Sequence, residues 1–504
     1  MAHILLVMST SAAPPIAPQS KAITAGEMGL KEFMRMNNLK DRCLGQHPAA
    51  FLWQRLRRVQ LLRGAFASFA ILALTGCSAA GHADQHLGAD AIDTGDTAWM
   101  LISTALVMLM TPALALFYGG LVRSKNVLSI IMQSFIALGV ITLIWLLYGY
   151  SLAFSPSILS IGGYGLIGSL DWAGVRNVGM APHAVYCPTV PHRLFMLYQC
   201  MFAIITPALI SGAFAERMKF KTYLVFVVLW ATLVYCPVAH WVWSENGWLR
   251  KIGSLDFAGG TVVHMTSGFT ALAAAIMVGP RRGFPRQAFI PHNLVLTLLG
   301  VGLLWMGWFG FNGGSAIGSG QLAVVAFLAT HCAAAGGALS WTCYDWLLKD
   351  RPTLLGAGSG AVAGLVAVTP ASGFVGPLSG FAIGVAAGVL CAYVVTWRAR
   401  RGIDDALDAF GVHGVGGTLG ALLTGVFASA YLNPAIAGNE GLIHGGFRLL
   451  IVQFLAVIVT LVYTLVVSWV ILKVLDLTMG LRVAHDDEEM GLDLTQHGEA
   501  AYSS

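Results

Sequence analysis

From Thr97 onward, apolar stretches of membrane-spanning length follow one another with only short interruptions. A helix needs about 20 apolar residues to cross the hydrocarbon core of a bilayer. Hydrophobic residues make up 57% of the chain and charged residues 11%, whereas soluble domains carry about 25% charged residues. This composition excludes a disordered protein, a collagen and an ordinary soluble enzyme, and it predicts an all-α membrane protein. The eleven predicted spans are 97–120, 126–154, 194–215, 221–243, 256–279, 294–312, 321–347, 354–371, 373–396, 411–431 and 446–476.

Because eleven is an odd number, the two ends of the membrane region face opposite sides. Cytoplasmic loops carry an excess of Lys and Arg. One alternate set of loops is rich in these residues, which predicts that the first span starts outside and that the carboxyl-terminal tail lies inside. The rich set holds Arg123, Lys125, Arg217, Lys219, Lys221, Arg281, Arg282, Arg286, Lys349, Arg351, Arg398, Arg400 and Arg401, against Arg176, Arg193, Arg250, Lys251 and Arg448 in the opposite set.

The first hundred residues differ from the rest of the chain. A basic segment, 55–58, precedes a short apolar run, 64–74, and small residues that continue to Ala83. This order is typical of a secretory signal peptide, and the run is short for a membrane span. We predict cleavage near Ala83 or, because residues 74–77 resemble a bacterial lipobox, at a lipidated Cys77; an uncleaved extension is the alternative. The predicted domains are a leader (1–83), a membrane domain (84–476) and a cytoplasmic tail (477–504).

Two pairs of spans carry similar sequences at matching ends. Phe-Tyr-Gly-Gly at 117–120 closes the first span, and Phe-Asn-Gly-Gly at 311–314 closes the sixth. Asp-Phe-Ala-Gly-Gly at 256–260 opens the fifth span, and Asp-Ala-Phe-Gly at 408–411 opens the tenth. The offset predicts two five-helix repeats of opposite membrane orientation around a central pore, plus an eleventh helix. Inverted repeats of this kind place a substrate path between the halves.

Ionisable side chains within membrane spans mark functional sites, and three such residues within or near the ends of predicted spans stand out as candidates. Asp256 precedes His264 by eight residues, a little over two helical turns. His413 begins the tenth span from the opposite side, so antiparallel helices would bring the two imidazoles together. A neutral imidazole has one donor and one acceptor nitrogen, so the pair would form a polar path for a small solute or relay protons. The alternative interpretation is that the two histidines are unrelated, and that each is buried and caps backbone groups.

Aromatic residues are frequent at the predicted outer ends of the spans. Such residues are commonly interface anchors, but aromatic faces also bind small cations, Trp best. A cage of Phe and Trp with one hydroxyl, such as Ser315, would suit a cation that donates hydrogen bonds. The aromatic residues concerned are Tyr198, Phe202, Trp241, Trp243 and Trp248.

Several classes of protein find no support in the sequence. There is no basic stripe interleaved with aromatic residues, so nucleic acid is not an expected partner. The eight cysteines include no C-x-x-C, and the histidines lack a third ligand at metal-binding spacing, so no metal site is predicted. A disulfide through Cys43 or Cys187 stays open. Without a cofactor motif or a nucleophile–base pair, neither an enzyme nor a cofactor is expected.

From about residue 95 to its end, the sequence resembles the ammonium transporter (Amt/MEP/Rh) family, in particular its bacterial Amt members. Several long motifs in the same order carry the resemblance. They are Asp-Phe-Ala-Gly-Gly-Thr-Val-Val-His at 256–264 with Arg281 following, Phe-Tyr-Gly-Gly-Leu-Val-Arg-Ser-Lys-Asn at 117–126, Trp-Phe-Gly-Phe-Asn at 308–312, Pro-His-Asn at 291–293, Phe-Gly-Val-His-Gly at 410–414, and the tail segments 480–483, 491–493 and 497–499.

The resemblance implies ammonium uptake across a bacterial inner membrane by a homotrimer with one pore per subunit. Phe202, Trp243 and Ser315 match the family's outer ammonium-recruitment site. Asp256 matches a carboxylate needed for ammonium recognition or deprotonation, with an alternative structural role at its helix start. Tyr198 stands where many relatives carry another aromatic residue, and its hydroxyl is expected to add a donor or acceptor at the vestibule.

The resemblance also assigns residues to the pore. Phe202 and Phe311 match a stacked phenyl gate, with Trp308 on the pore wall. His264 and His413 match the twin-histidine pair of the family. Ammonium would then be deprotonated outside, pass the pore as ammonia and be reprotonated inside.

The tail and Asp408 match elements that couple the cytoplasmic face to PII-type regulators, and Arg482 is the tail residue we assign to this role. The implied partners are ammonium and ammonia, with methylammonium as a further candidate, together with membrane lipid. Two alternatives stay open: an ammonium sensor (transceptor) and an electroneutral ammonia channel.

Overall fold

The computed structural model describes Gly88 and residues 91–502. The predicted signal peptide with its candidate cleavage sites at Cys77 and Ala83, and also Cys43, lie outside these residues. Among the described helices, ten are long and apolar enough to cross a membrane, and α8, with 15 residues, is shorter. The helices are α1 (Thr94–Leu121), α2 (Ser124–Phe154), α3 (His192–Phe214), α4 (Phe220–Trp243), α5 (Gly260–Val278), α6 (Leu294–Ala316), α7 (Gln321–Lys349), α8 (Leu354–Val368), α9 (Pro377–Arg400), α10 (Phe410–Phe427) and α11 (Phe447–Met479).

Of the helix ends that depart from the predicted span boundaries, three have identifiable reasons. Helix α5 begins at Gly260, not at 256, because Asp256 remains outside the helix as its cap. Helix α9 begins at Pro377, whose fixed φ and missing N–H suit a first helical turn. Helix α11 runs past 476 to Met479 and ends at Gly480, which has a positive φ of 70°.

The predicted all-α class misses two short antiparallel strand pairs between α2 and α3. Strand β1 (Ser157–Ile161) pairs with β2 (Tyr164–Gly168), and β3 (Pro182–His183) pairs with β4 (Cys187–Pro191). The indole N–H of Trp241 donates to the carbonyl of Leu166 at 2.7 Å and so holds β2 against α4. Pairs this short leave too little alternation in the sequence to predict them.

Small residues let α7, α8 and α9 pack closely, as the sequence predicts for helices within a bilayer. A Cβ atom at Gly337 of α7 would lie 3.0 Å from the backbone nitrogen of Gly364 in α8. A Cβ atom at Gly360 would lie 2.6 Å from the Cβ of Trp341. The backbones therefore touch where any larger side chain would separate them.

A buried ion-pair network joins the loops beside α3, α5 and α10. Glu216 accepts hydrogen bonds from the backbone N–H of Arg123 at 2.7 Å and from its guanidinium group. Arg281 lies 3.4 Å from Glu216 and forms two bonds of 2.9 Å with the carboxylate of Asp404. Burial alone would raise the pKa of Glu216, but the Arg281 and Arg123 guanidinium groups outweigh burial and hold it below its usual range.

We expect acid to weaken this network. A carboxylate with a depressed folded pKa adds stability above its unfolded pKa, and that stability is lost as the pH falls through the folded value. For Glu216 the loss begins below about pH 4.3, the usual Glu pKa. At neutral pH, Glu216→Gln should destabilise the protein by about 3–5 kcal/mol, because the arginines lose their charged partner. In thermal unfolding of the purified protein below about pH 4.3, the melting temperature of the variant should change less with pH than that of the wild type. An equal change in the two proteins would contradict the expectation.

Candidate functional site

The start of helix α5 is organised by Asp256. Its Oδ1 accepts the backbone N–H groups of Gly259 and Gly260 at 2.8 and 2.7 Å. Its Oδ2 accepts those of Thr261 and Val262 at 2.7 and 3.2 Å. The first N–H groups of a helix have no partner within it, so this carboxylate supplies four of the missing bonds. Asp256 thereby fixes where the helix begins.

Helix α10 is capped in the same way by Asp405, a residue that the repeat analysis missed. Its carboxylate accepts the backbone N–H groups of residues 409 and 410 at 3.0 and 2.8 Å. Asp405 lies eight residues before His413, the same spacing that separates Asp256 from the histidine of α5. Matching Asp408 to Asp256 in the repeat was therefore wrong, and the equal Asp-to-His spacing is the sequence signal that identifies Asp405.

Asp408 instead takes the position of Gly259, three residues after the capping carboxylate. Both residues have left-handed backbone, with φ of 59° at Asp408 and 111° at Gly259. The Asp408 carboxylate forms an ion pair with Arg398. Burial raises the pKa of Asp408 above its usual range, although Arg398 opposes this.

Two buried imidazoles meet where these helix starts cross. His264 and His413 lie in π-helical turns, Gly260–Met265 and Phe410–Gly414, which are frequent at functional sites. Their Nδ1 atoms are 3.3 Å apart and their rings are nearly parallel at 17°. One Nδ1 must donate and the other accept. Across residues 91–502 no group of three or more His, Cys, Asp or Glu side chains is arranged to hold a metal ion.

The close approach of the histidines depends on two glycines, each four residues after its histidine. A Cβ atom at Gly417 would lie 2.9 Å from the Cβ of His264 and 2.8 Å from the carbonyl oxygen of Gly260. A Cβ atom at Gly268 would lie 2.8 Å from the carbonyl carbon of His413. Any larger residue at either position therefore pushes the two helices apart.

We expect Gly417→Ala to lower the melting temperature of the purified protein by several degrees, since overpacking a core costs about 1–3 kcal/mol. Gly302→Ala is the matched control, because a Cβ atom at Gly302 in α6 meets nothing within 4 Å. Alanine favours a helix over glycine by about 1 kcal/mol, so the control should melt at or above the wild-type temperature. Equal melting temperatures of the two variants would show that the close approach of α5 and α10 does not require glycine at position 417.

A cavity of about 450 Å³ lies on one side of the histidines. We call it the Trp243 cavity; Phe202, Trp243, Asp256 and Ser315, all candidates from the sequence, line it. The rings of Phe202 and Trp243 stand at 87° with centroids 5.9 Å apart. The indole N–H of Trp243 donates to the Asp256 carbonyl at 3.0 Å, and the Ser315 hydroxyl donates to the Phe311 carbonyl at 2.9 Å. The arrangement presents aromatic faces and hydroxyl lone pairs, which suit a small cation.

The side chain of Tyr198 lies behind the wall of the Trp243 cavity. It is fully buried, and its hydroxyl lies 2.9 Å from the carbonyl oxygens of Gly310 and Phe311. It also lies 3.3 Å from the Ser315 Oγ. The hydroxyl therefore does not face the vestibule as expected. It fixes the backbone next to Ser315, and its ring packs edge-on against Phe202 at 5.0 Å.

Two phenyl rings separate the Trp243 cavity from a narrow chamber. The ring centroids of Phe202 and Phe311 are 4.3 Å apart. The chamber has a volume of about 10 Å³, roughly the space of one water molecule. Trp308 stacks on His264 at 5.5 Å and is held by a 2.9 Å bond from its indole N–H to Thr369. The chamber is lined by Met110, Leu114, Phe117, Ile205, Leu209, Val263, His264, Leu304, Trp308, Phe311, Val362 and His413.

A second cavity, of about 200 Å³, follows the chamber. We call it the Asp408 cavity; Arg281 and Asp408 line it. Phe117, Val362 and His413 line both the chamber and this cavity. The Trp243 cavity, the chamber and the Asp408 cavity therefore follow one another, and we call this series of spaces the path. Both imidazoles line the chamber.

The tail is attached to the helix ends beside this path. Arg482 forms a 2.7 Å ion pair with Glu488 and donates to the Val278 carbonyl at the end of α5 at 3.1 Å. The Asp493 carboxylate accepts the backbone N–H groups of residues 128 and 129 at 3.0 and 2.8 Å. Arg482 therefore helps to hold the tail in place, whereas Asp408 faces the path.

Comparisons with known proteins agree with this architecture. The model of the Ammonium Transporter Family matches residues 98–502. An ammonium transporter of Bacillus subtilis is 50% identical over 409 residues, 81% of this chain and 98% of the relative. The crystal structure of Saccharomyces cerevisiae Mep2 is 39% identical with a TM-score of 0.75, over 82% of this chain and 92% of Mep2. A structure titled Sensor Amt Protein is 30% identical with a TM-score of 0.72, over 80% of this chain and 98% of that structure's chain. The chain is thus a multi-pass membrane protein that belongs to the ammonium transporter family.

Proposed function

We propose that this protein takes up ammonium across the inner membrane of a bacterium. The observation that carries the proposal is the apolar chamber with paired imidazoles between a cavity suited to a cation and a second cavity. Phe202, Trp243 and Ser315 recruit ammonium at the Trp243 cavity. Aromatic faces attract a small cation through the ring quadrupole, and the Ser315 hydroxyl accepts an N–H.

Ammonium gives up a proton to the solvent at the Trp243 cavity before it enters the chamber. Moving a bare charge into an apolar part of the membrane is costly, and a space of about 10 Å³ leaves no room for a hydration shell. Neutral ammonia passes Phe202 and Phe311 and hydrogen-bonds in turn to His264 and His413. At the Asp408 cavity ammonia takes a proton from the solvent on that side and leaves as ammonium. Potassium is excluded because it has no proton to lose.

The proposal includes eleven spans with the amino-terminal side outside and the tail inside. Helix α8 would be the eighth span, since it is apolar and lies between α7 and α9 in the chain. Arg281 lines the Asp408 cavity and belongs to the loops rich in basic residues, which supports a cytoplasmic position for that cavity. The matching caps at Asp256 and Asp405 support two inverted repeats.

The assembly and its control follow from the family resemblance. We propose a homotrimer with one path per subunit and a PII-type regulator that binds at the cytoplasmic side. Asp408 at the mouth of the path and the tail held by Arg482 are the residues that such a regulator would influence. Export of the leader and its cleavage near Cys77 or Ala83 stay predictions.

A sensor is the second candidate function, because a structure titled Sensor Amt Protein matches over 98% of its length. Uptake into proteoliposomes that contain a pH dye distinguishes a transporter from a sensor and from a passive ammonia channel. Ammonium jumps should change internal pH faster than in protein-free vesicles, with a rate that saturates. A protein that binds ammonium but leaves the rate unchanged would be a sensor, and a rate that never saturates would indicate a passive ammonia channel.

A further inference from the structure

The Trp243 cavity is also lined by Gln199, whose side-chain amide carries an acceptor oxygen. The Oε1 atom of Gln199 is buried, and within the described residues nothing donates to it. Leaving a buried acceptor unpaired costs about 1–3 kcal/mol. The other polar side chains that line this cavity are all engaged: Tyr186, Arg250, Ser254, Asp256, Ser315 and Asn439.

Gln199 is placed to contact whatever occupies the cavity. It lies on α3 with Phe195 and Phe202, four residues before and three after it, and all three line the Trp243 cavity. These spacings put the three side chains on one helix face. Gln199 is 9% exposed, so its amide is held within the wall one turn from Phe202.

The Gln199 amide can offer its oxygen to the cavity at no steric cost. A half-turn about its last torsion exchanges the oxygen and the nitrogen without changing the shape of the side chain. No hydrogen bond of Oε1 would be lost in the turn. The oxygen then becomes an acceptor on the same side of the phenyl pair as Ser315.

We propose that Gln199 is a second hydrogen-bond acceptor for the recruited cation and helps to select ammonium; this rests on the proposed function. Ammonium has four N–H donors and no acceptor, so an aromatic cage with one hydroxyl leaves donors unpaired. The proton of the Ser315 hydroxyl is used by Phe311, so both Ser315 and Gln199 face the cation as acceptors. A hydrogen bond to a charged donor is stronger than one between neutral groups.

The test compares Gln199→Met, which keeps the side-chain length and removes the acceptor, with Gln321→Met. Gln321 is exposed at the start of α7 and does not line the cavity. In the proteoliposome assay, Gln199→Met should raise the half-saturating ammonium concentration about tenfold, which corresponds to about 1.4 kcal/mol, with the maximal rate unchanged. The half-saturating concentration of methylammonium should rise less, because the apolar Met side chain can contact the methyl group of this substrate. Gln321→Met should match the wild type.

A change below twofold in Gln199→Met, or equal changes for both substrates, would overturn the proposal. If wild-type vesicles show no ammonium-dependent rate, the proposed function fails, and melting in ammonium chloride against sodium chloride then tests Gln199. Ammonium that stabilises the wild type and not Gln199→Met supports the acceptor, and any other result overturns it. Should Gln199→Met fail to fold, Gln199→Glu keeps the acceptor and must bind ammonium at least as tightly as the wild type.

Discussion

Asp256→Ala should reduce saturable ammonium uptake by about a hundredfold or more. The substitution removes the carboxylate that accepts four backbone N–H groups at the start of α5. Each unpaired N–H costs about 1–3 kcal/mol, so the first turn would rearrange. That turn carries His264, and the Asp256 carbonyl holds the Trp243 indole. Both the recruiting cavity and the chamber would lose their geometry.

The measurement is the rate of internal pH change in proteoliposomes at saturating ammonium. Asp96→Ala is the matched control, because the Asp96 carboxylate also accepts hydrogen bonds, from Thr189 and Ser319, but does not line the Trp243 cavity. The control should keep the wild-type rate. A folded Asp256→Ala protein that transports at the wild-type rate would show that the helix start does not govern the path.

Replacing both imidazoles by leucine, His264→Leu with His413→Leu, should lower uptake by at least about a hundredfold. Leucine keeps the chamber filled and apolar but offers ammonia no donor or acceptor. Desolvating an amine-sized polar group without a replacement hydrogen bond costs about 2–7 kcal/mol. That cost adds directly to the barrier, and each 1.36 kcal/mol slows passage about tenfold.

The same uptake assay measures this loss, with Leu304→Met as the control. Leu304 lines the chamber beside the histidines, and methionine replaces it with a similar apolar volume. The control should transport at a rate close to wild type. If the double leucine variant did so as well, the imidazole edges would play no part in passage.

The sequence predicts the main candidate residues because they recur in motifs with fixed spacing. The run of apolar stretches predicts the helices to within a few residues at most ends. Asp256, His264 and His413 stand out because ionisable residues within spans are rare. Phe202, Trp243 and Ser315 follow from the family resemblance, and the structure brings them to one cavity.

What the sequence does not predict depends on contacts between distant segments. The hydroxyl of Tyr198 turns to two carbonyls of α6, more than 100 residues away, and so leaves the vestibule. The Asp405 cap is a different case, because its contacts are local and the sequence carries its signal, the eight-residue spacing to His413. Within the described residues nothing donates to the Gln199 Oε1, and this can be known only from the partners of every side chain in the cavity.

The most direct test of ammonia passage is a comparison of ammonium and potassium jumps on the unmodified protein in proteoliposomes. Current on a solid-supported membrane and internal pH would be recorded together. We expect ammonium to produce a saturable response in internal pH, and we expect potassium at the same concentration to give neither a pH change nor a current. A potassium current through the wild-type protein would contradict the account, because an ion that cannot lose a proton would then have crossed the chamber.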